Sequence, residues 1–305
     1  MKAWVGVTDG DWYRFLKARP HLDEVNFWQP SGGRQFRSLA PGRIFLFKLH
    51  HPENYIVGGG VFAHFSVAPS RLAWDAFGEK NGAPNYEAMR QRIEKYRHVA
   101  PSPHEEHAIG CILLTQPFFF ERADWIPAPA DFAKNIVQGK TYDLTAGAVK
   151  ELWTAVEERL QASAVPTYAE EGSVYGDPIL VKQRLGQGTF RLLVTDTYQK
   201  RCAVTGEKVL PVLQAAHLRP VSEGGGYRVD NGLLLRSDVH TLFDRGYVTV
   251  APDFRVLVSP RLKRDFDNGE HYYQYQGEKI WTPQTSTDRP AKSFLEWHRD
   301  EVLLG

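Results

Sequence analysis

The sequence predicts an α+β fold built in two parts, and three observations support this. Short apolar runs alternate with turns and helical patterns over about the first 140 residues. A polar, turn-rich stretch, "AVPTYAEEGSVYGDP", then interrupts the apolar periodicity. Beyond it, a strand, a glycine-rich loop, a second strand and a short helix follow one another. We therefore expect a first domain over 1–140, a helix and linker over 141–178, and a second domain over 179–305.

Composition indicates an ordinary soluble protein. Of the 305 residues, 42% are hydrophobic and 24% are charged, and the formal net charge of +1 neither requires nor excludes a nucleic-acid partner. No apolar run is long enough to span a membrane, and the N-terminus lacks a secretory signal pattern, so we expect a cytoplasmic protein with no membrane partner. Cys111 and Cys202 are the two cysteines, which excludes a disulfide framework and a four-cysteine zinc site.

The first part carries strand-like runs separated by turns and helices. Three glycines within the run 54–66 predict a bulge or a close approach of two backbones. Strands are predicted at 3–7, 24–28, 43–49, 54–66 and 108–120, and helices at 10–18 and 86–97.

A helix predicted at 146–163 leads into the linker, and the second part begins with a helical segment within 179–202. Its apolar stripe consists of Phe190, Leu193, Val194 and Tyr198. Basic residues surround this stripe: Lys182, Arg184, Arg191, Lys200 and Arg201. They form either a solvated helix face or a phosphate-binding surface, and the motif described next favours phosphate contact.

Three polar residues stand at informative places within "AAHLRPVSEGGGYRVDNGLLLRSDVHTLFDRG". His217 ends the first strand, Asn231 opens the second strand fourteen positions later, and His240 follows after nine more positions. Ser237 is a suitable N-cap for the short helix, and Gly246 stands where a helix stop is expected. An antiparallel hairpin packed on this helix would bring His217, Asn231 and His240 to a common cleft.

This arrangement resembles the HNH nuclease motif, the ββα-metal finger, and the flanking segments resemble those of bacterial HNH restriction-type nucleases over 179–305. The resemblance implies a metal-dependent endonuclease in which His217 is the general base and His240 is a metal ligand. Asn231 either binds the ion or fixes the loop that holds the base. A neutral imidazole, whose solution pKa is about 6.5, suits proton abstraction near neutral pH.

The expected cofactor is one divalent cation, with Mg²⁺ as the first choice and Mn²⁺ or another transition metal as alternatives. Many family members carry a ligand immediately before the base, but this chain has Ala216 there. Asp244, Asp230 or waters would complete the metal shell, and Asp244 has the suitable spacing from His240. Alternatively, Asp244 pairs with Arg245 or Arg236. Since only Cys202 stands where relatives have paired cysteines, we expect a small buried thiol and no structural zinc.

The first domain resembles the PUA superfamily, whose EVE, YTH, ASCH and SRA branches include readers of modified bases. The resemblance rests on "DEVNFW" and on "SLAPGRIFLFKLHHPENYIVGGGVFAHFS", and it implies a mixed β-barrel with helices. It places Trp28 and Trp74 as walls of a base pocket, with Tyr55 as a further candidate. The alternative is that these rings belong to the hydrophobic core.

The combined prediction is a modification-dependent DNA endonuclease that restricts foreign DNA. The first domain would bind a modified base, expected to be a cytosine, in double-stranded DNA, and Arg184, Arg191 and Arg219 would contact phosphates. Cutting both strands with one finger per chain favours a homodimer or sequential nicking. Two alternatives remain open: an unspecific or structure-specific HNH nuclease, and a non-catalytic protein that binds modified nucleic acid.

Overall fold

The computed structural model describes residues 2–33, 35–100, 105–144, 148–163 and 185–305. The chain divides into two compact units, Met1–Gly186 and Gln187–Gly305, and each is described here by itself. The predicted linker at 164–178 and the first residues of the predicted second domain lie outside the described residues.

Within the described residues, the first unit is built on one mixed sheet of seven strands. Six of them follow the order β2-β5-β4-β3-β1-β7, and β6 pairs with β4. The strands β1 and β3 run parallel, whereas the remaining pairs are antiparallel. The strands are β1 (Lys2–Thr8), β2 (Glu24–Gln29), β3 (Ile44–Leu49), β4 (Tyr55–Pro69), β5 (Ala108–Phe119), β6 (Ile126–Pro127) and β7 (Gly139–Asp143). The helices are α1 (Gly10–Lys17), α2 (Ser70–Phe77), α3 (Tyr86–Arg97) and α4 (Ala148–Ser163).

Apolar side chains cover both faces of this sheet because successive residues of a strand point to opposite sides. Along β3, Leu46 belongs to one buried cluster, while Phe45 and Phe47 belong to another. Trp153 and its neighbours on α4 cover the first cluster, and Trp12 on α1 packs in the second. The pairing of β4 shifts register against both β3 and β5, which agrees with the irregularity predicted from the glycines at 58–60.

The second unit contains the predicted hairpin and helix. The strands β8 (Leu213–His217) and β9 (Gly232–Arg236) pair antiparallel, and His217 lies opposite Gly232. The preceding helix α5 (Gln187–Thr197) buries Phe190 and Val194 against the hairpin, and Tyr198 extends this apolar face. The remaining elements are α6 (Ser237–Asp244), β10 (Val248–Val250), β11 (Val256–Val258), α7 (Arg261–Phe266), α8 (Glu270–Tyr273) and α9 (Lys292–Glu301).

The ends of α6 show one correct and one wrong prediction. Gly246 adopts φ +77°, and its N–H donates to the carbonyl of Phe243, so it terminates the helix as predicted. Ser237, however, is the first helical residue rather than the N-cap, which is Arg236. The strand β9 runs directly into the helix, and therefore its last residue takes the cap position. The α+β class is confirmed.

No helix in the part of the chain that the structure describes combines the length and the apolar character needed to cross a membrane.

Candidate active site and base-binding cavity

The hairpin and the helix of the second unit bring two of the three predicted triad residues to one open cleft. His217 at the end of β8 and His240 on α6 line this cleft, which has a volume of about 640 Å³. Asp244, one turn beyond His240, lines it as well, and Arg191 enters from α5. The candidate general base, the candidate metal ligand, a carboxylate and an arginine side chain therefore line the same open cleft.

The imidazole of His217 is held between aromatic rings. Its ring stacks on Phe190 with a centroid distance of 4.1 Å and meets the edge of Tyr227 at 5.5 Å. Burial lowers the pKa of His217, and the neighbouring His240 lowers it further, so the ring is neutral at neutral pH. Nε2 is buried without a hydrogen-bond partner among the described residues.

Asn231 is fully buried and clasps the loop that follows His217. Its Oδ1 accepts from the backbone N–H of Arg219 at 2.9 Å, and its Nδ2 donates to the carbonyls of Arg219 at 2.9 Å and Gly226 at 3.0 Å. A Cβ on Gly225 would overlap the carbonyl of Arg219, so the clasp also requires a glycine there. Of the two roles that the sequence leaves open for Asn231, this geometry favours fixing the loop, because both ends of its amide are engaged.

His240 is oriented by a residue that the sequence analysis did not identify. Oε1 of Gln214, on β8, lies 2.7 Å from Nδ1 of His240. Since an amide oxygen only accepts hydrogen bonds, this contact places the hydrogen on Nδ1 and leaves the lone pair on Nε2. Nε2 in turn lies 3.3 Å from Oδ2 of Asp244. Burial lowers the pKa of His240, with Asp244 opposing this effect, and burial raises the pKa of Asp244, with His240 opposing it.

The pair formed by His240 and Asp244 fits two neighbouring positions around one cation. Adjacent ligands of an octahedral ion at about 2.1 Å lie about 3 Å apart, close to the 3.3 Å between Nε2 and Oδ2. Among the residues that the structure describes, no group of three His, Cys, Asp or Glu side chains is placed to hold a metal ion. The alternative pairing of Asp244 with Arg236 is wrong, because Arg236 binds Asp238 with contacts of 2.7 Å.

The three arginines predicted to contact phosphate have different surroundings. Arg191 lines the cleft beside the histidines. Arg219 follows the first strand, but its guanidinium lies over the ring of Trp297 at 5.4 Å. Arg184 falls outside the described residues.

Cys202 is buried, as predicted for a small thiol. Its Sγ accepts from the backbone N–H groups of Thr205 at 3.3 Å and Arg236 at 3.2 Å. These two contacts connect the turn before β8 to the end of β9.

The first unit has a cavity of about 420 Å³ at the ends of its strands, and Trp28 lines it. The indole N–H of Trp28 donates to the carbonyl of Asn81 at 2.9 Å, which fixes the plane of the ring. Trp12, Phe27 and Tyr96 contribute further rings. The volume lies within the range of about 300–1,000 Å³ found for small-molecule pockets.

The other two predicted pocket residues are not part of this cavity. Trp74 lies against Tyr86 with ring centroids 6.5 Å apart, and Tyr55 lies against Trp125 at 5.8 Å. Neither ring is in the lining, so the structure brings only Trp28 of the three to this place.

Asp9 and Tyr96 line the cavity and were not predicted. Oδ1 of Asp9 caps α1 by accepting from the N–H of Trp12 at 2.6 Å, and Oδ2 accepts from the hydroxyl of Tyr96 at 3.0 Å. Burial and the nearby Asp9 raise the pKa of Tyr96 to about 12, so the phenol remains a donor at neutral pH. The sequence "TDGDW" carries an N-cap signal at Asp9, but nothing in it points to a cavity.

Comparison with known proteins assigns the second unit's motif to a family. Residues 202–251 match the family model described as HNH endonuclease, and the matched range contains His217, Asn231, His240 and Asp244. This segment is an HNH endonuclease domain. No curated protein matches the chain.

Solved structures with some similarity include ASCH of Zymomonas mobilis. It is 13% identical, with a TM-score of 0.32, and the match covers 51% of this chain and 94% of that protein. A mutant of the same protein is 12% identical, with a TM-score of 0.34 and coverages of 50% and 98%. A third structure, described as the modification-dependent TagI restriction endonuclease, is 14% identical with a TM-score of 0.27, and the match covers 93% of this chain and 77% of TagI.

Proposed function

We propose that this protein is a modification-dependent DNA endonuclease. The second unit would hydrolyse the phosphodiester backbone, and the cavity of the first unit would bind a modified base, with modified cytosine as the expected class. The observation that carries the nuclease part is the convergence of His217, His240 and Asp244 on one cleft within the HNH segment. The reader part is supported by an aromatic cavity in a separate compact unit.

In the cleft, His217 acts as the general base. Its lowered pKa keeps the imidazole neutral, and Nδ1 takes a proton from the water that attacks phosphorus. Stacking on Phe190 prevents rotation of the ring, and the clasp of Asn231 fixes the backbone two residues further on. The products would be a 5′-phosphate and a 3′-hydroxyl.

Nε2 of His240 and a carboxylate oxygen of Asp244 would hold a divalent cation, and waters would complete its shell. HNH endonucleases generally use such a cation, with Mg²⁺ expected here and Mn²⁺ as the first substitute. Bound there, the ion would offset negative charge on the phosphorane and the leaving oxygen. Gln214 accepts the hydrogen on Nδ1 of His240 and thereby leaves the lone pair on Nε2, the nitrogen that faces Asp244.

Phosphate contacts would position the DNA without selecting its sequence. Arg191 is best placed among the predicted arginines because it lines the cleft with both histidines. Arg219 and Arg184 remain proposed contacts further along the backbone.

The cavity would take a base extruded from the duplex. Extrusion costs a few kcal/mol, and stacking on an aromatic ring offsets this by about 1–3 kcal/mol per base. Trp28 supplies such a ring with its orientation already fixed, and Asp9 adds an acceptor that suits the amino group of a cytosine. A base that presents a carbonyl at the same place would meet an unfavourable contact.

One digestion experiment tests both parts. Matched duplexes with plain, methylated, hydroxymethylated or glucosylated cytosine are incubated with the full chain and Mg²⁺ or Mn²⁺. We expect cleavage of at least one modified duplex and little cleavage of plain DNA. Equal cutting of all duplexes would remove the reader function, and cleavage that survives in His217→Ala would remove the proposed catalytic role. Sedimentation of the protein with and without DNA would show whether a homodimer performs the double-strand cut.

A further inference from the structure

An exposed apolar side chain stands at the rim of the base-binding cavity. Val137 is 71% exposed, the largest value among the large hydrophobic residues that the structure describes. It nevertheless belongs to the cavity lining, together with Trp28 and Tyr96. Single exposed valines are common on protein surfaces, so the position and the neighbours of this one decide whether it has a use.

The backbone on both sides of Val137 is anchored. Ile136 packs against the hydrophobic cluster on the α4 side of the sheet, and its N–H donates to the carbonyl of Ala133 at 3.0 Å. The carbonyl of Gln138 accepts from the N–H of Val7 at 2.9 Å. Gly139 then begins β7 so close to β1 that a Cβ there would overlap the carbonyl of Val5. The exposure of Val137 is therefore set by a fixed backbone, which turns Ile136 inward and Val137 outward.

Base extrusion leaves a gap in the duplex beside the cavity that receives the base. Proteins that open base steps insert apolar side chains between them. An apolar side chain placed in the gap of an extruded base would replace part of the lost stacking. A β-branched side chain suits this task because its χ1 angle is restricted before binding. Polar side chains would pay for desolvation between the bases.

We propose that Val137 enters the DNA duplex at the position vacated by the extruded base. The inference rests on the proposed function, because it requires a base in the cavity. It assigns the first unit a preference for modified duplex over the same modified base in a single strand. It also gives the two side chains different tasks: Trp28 stacks on the extruded base, and Val137 occupies the vacated position in the DNA duplex.

The test compares the two forms of DNA with the full chain carrying His217→Ala, so that nothing is cut. The probes are the methylated, hydroxymethylated and glucosylated duplexes with 2-aminopurine beside the modified base, and the corresponding single strands. The variants are Val137→Ser and the matched control Val99→Ser, which alters another exposed valine of the first unit outside the cavity lining.

We expect Val137→Ser to weaken binding of the preferred duplex roughly tenfold, which corresponds to about 1.4 kcal/mol. The fluorescence of 2-aminopurine in the duplex should rise less with Val137→Ser than with the parent. Binding of the single strand should change less than twofold. Val99→Ser should bind both probes like the parent, and Val137→Ile should bind the duplex like the parent.

Equal losses on duplex and single strand would overturn the inference, since Val137 would then contact the bound base itself. Unchanged duplex binding in Val137→Ser would overturn it as well. If the parent fails to prefer any modified probe in either form, the proposed reader function has failed. If instead the parent prefers modified duplex and Val137→Ser binds it equally well, the role of Val137 fails while the reader function stands.

Discussion

The cleft of the second unit and the cavity of the first are assembled in contrasting ways. The cleft takes its histidines and carboxylate from one hairpin and the helix that follows it, and burial lowers the pKa of both histidines. The cavity takes its Trp, Phe and Tyr rings from α1, β2 and α3, and it offers an aromatic surface beside the carboxylate of Asp9. The proposed catalytic cleft thus depends on a compact local motif, whereas the proposed recognition cavity depends on the packing of a whole sheet.

The largest expected effect comes from removing the proposed general base, which should strongly reduce cleavage while leaving DNA binding intact. His217→Ala should reduce cleavage of modified DNA by about 10²–10⁴-fold, the usual contribution of a general base. Binding of the same DNA should change less than twofold, because the cavity lies in the other unit. Single-turnover cleavage and fluorescence anisotropy measure the two quantities. A parallel loss of binding would show that the two sites are not independent.

Acid should destabilise the second unit through a buried histidine. His298 stacks on Phe243 at 3.7 Å, its Nδ1 lies 2.8 Å from the hydroxyl of Thr249, and burial lowers its pKa to about 4. The unfolded chain takes up this proton near pH 6.5, so the stabilising contribution is complete above 6.5. It falls as the pH drops toward 4, by about 3 kcal/mol in total.

Chemical denaturation at pH 7 and pH 5 measures this dependence. His298→Gln should show a smaller drop between the two pH values than the parent, because glutamine keeps a polar group near Thr249 without titrating. The exposed His271→Gln serves as the control and should retain the parent's drop. Identical pH dependence in His298→Gln and the parent would contradict the assignment.

Removal of the cavity wall should affect recognition alone. Trp28→Ala should weaken binding of the preferred modified DNA by about 1–3 kcal/mol, the value of one aromatic stacking contact. Trp74→Ala removes an indole of the same unit that lies outside the cavity and should bind like the parent. If the Trp74 variant loses more affinity than the Trp28 variant, the base does not occupy this cavity.

The smallest of these effects concerns the orientation of His240. Gln214→Leu should weaken Mn²⁺ binding about tenfold, since partners of metal-binding histidines contribute about 10–100-fold to affinity. Gln214→Glu keeps an acceptor at the same place and should bind Mn²⁺ at least as tightly as the parent. Calorimetry gives the affinity, and ¹⁵N chemical shifts give the tautomer of His240. A leucine variant with unchanged tautomer and affinity would show that Gln214 has no positioning role.

The contrast between the sites also explains how far the sequence could predict them. The hairpin, the helix and the order of His217, Asn231 and His240 follow from local signals, because all three stand within one supersecondary unit. Gln214 carries no such signal, since an exposed strand glutamine acquires meaning only when the helix packs across it. The strand β7 was missed because "GKTYD" is short and polar, and α2 was missed because it follows β4 without a capping side chain.

Of the three residues predicted to form a base pocket, one lines the cavity of the first unit. Trp28 lies near the end of β2, inside the strand rather than after it, and it lines the cavity. Trp74 was placed there because it follows the glycine-rich strand, but α2 turns its ring toward Tyr86. Contacts between segments that are distant in sequence decide such placements, and no spacing rule encodes them. Asp9 illustrates the same point, because its capping role is local while its contact with Tyr96 joins α1 to α3.

The clasp of Asn231 around the loop from Arg219 to Gly226 has a practical consequence for protein engineering. The side-chain amide of Asn231, the length of the loop and Gly225 depend on one another, since the hydrogen bonds of Asn231 hold both ends of the same short loop. Grafting only the two histidines onto a foreign hairpin and helix would therefore transfer the reactive groups without their alignment. A transplant that carries the whole block from β8 through α6 keeps the alignment, and different recognition modules could be fused to it.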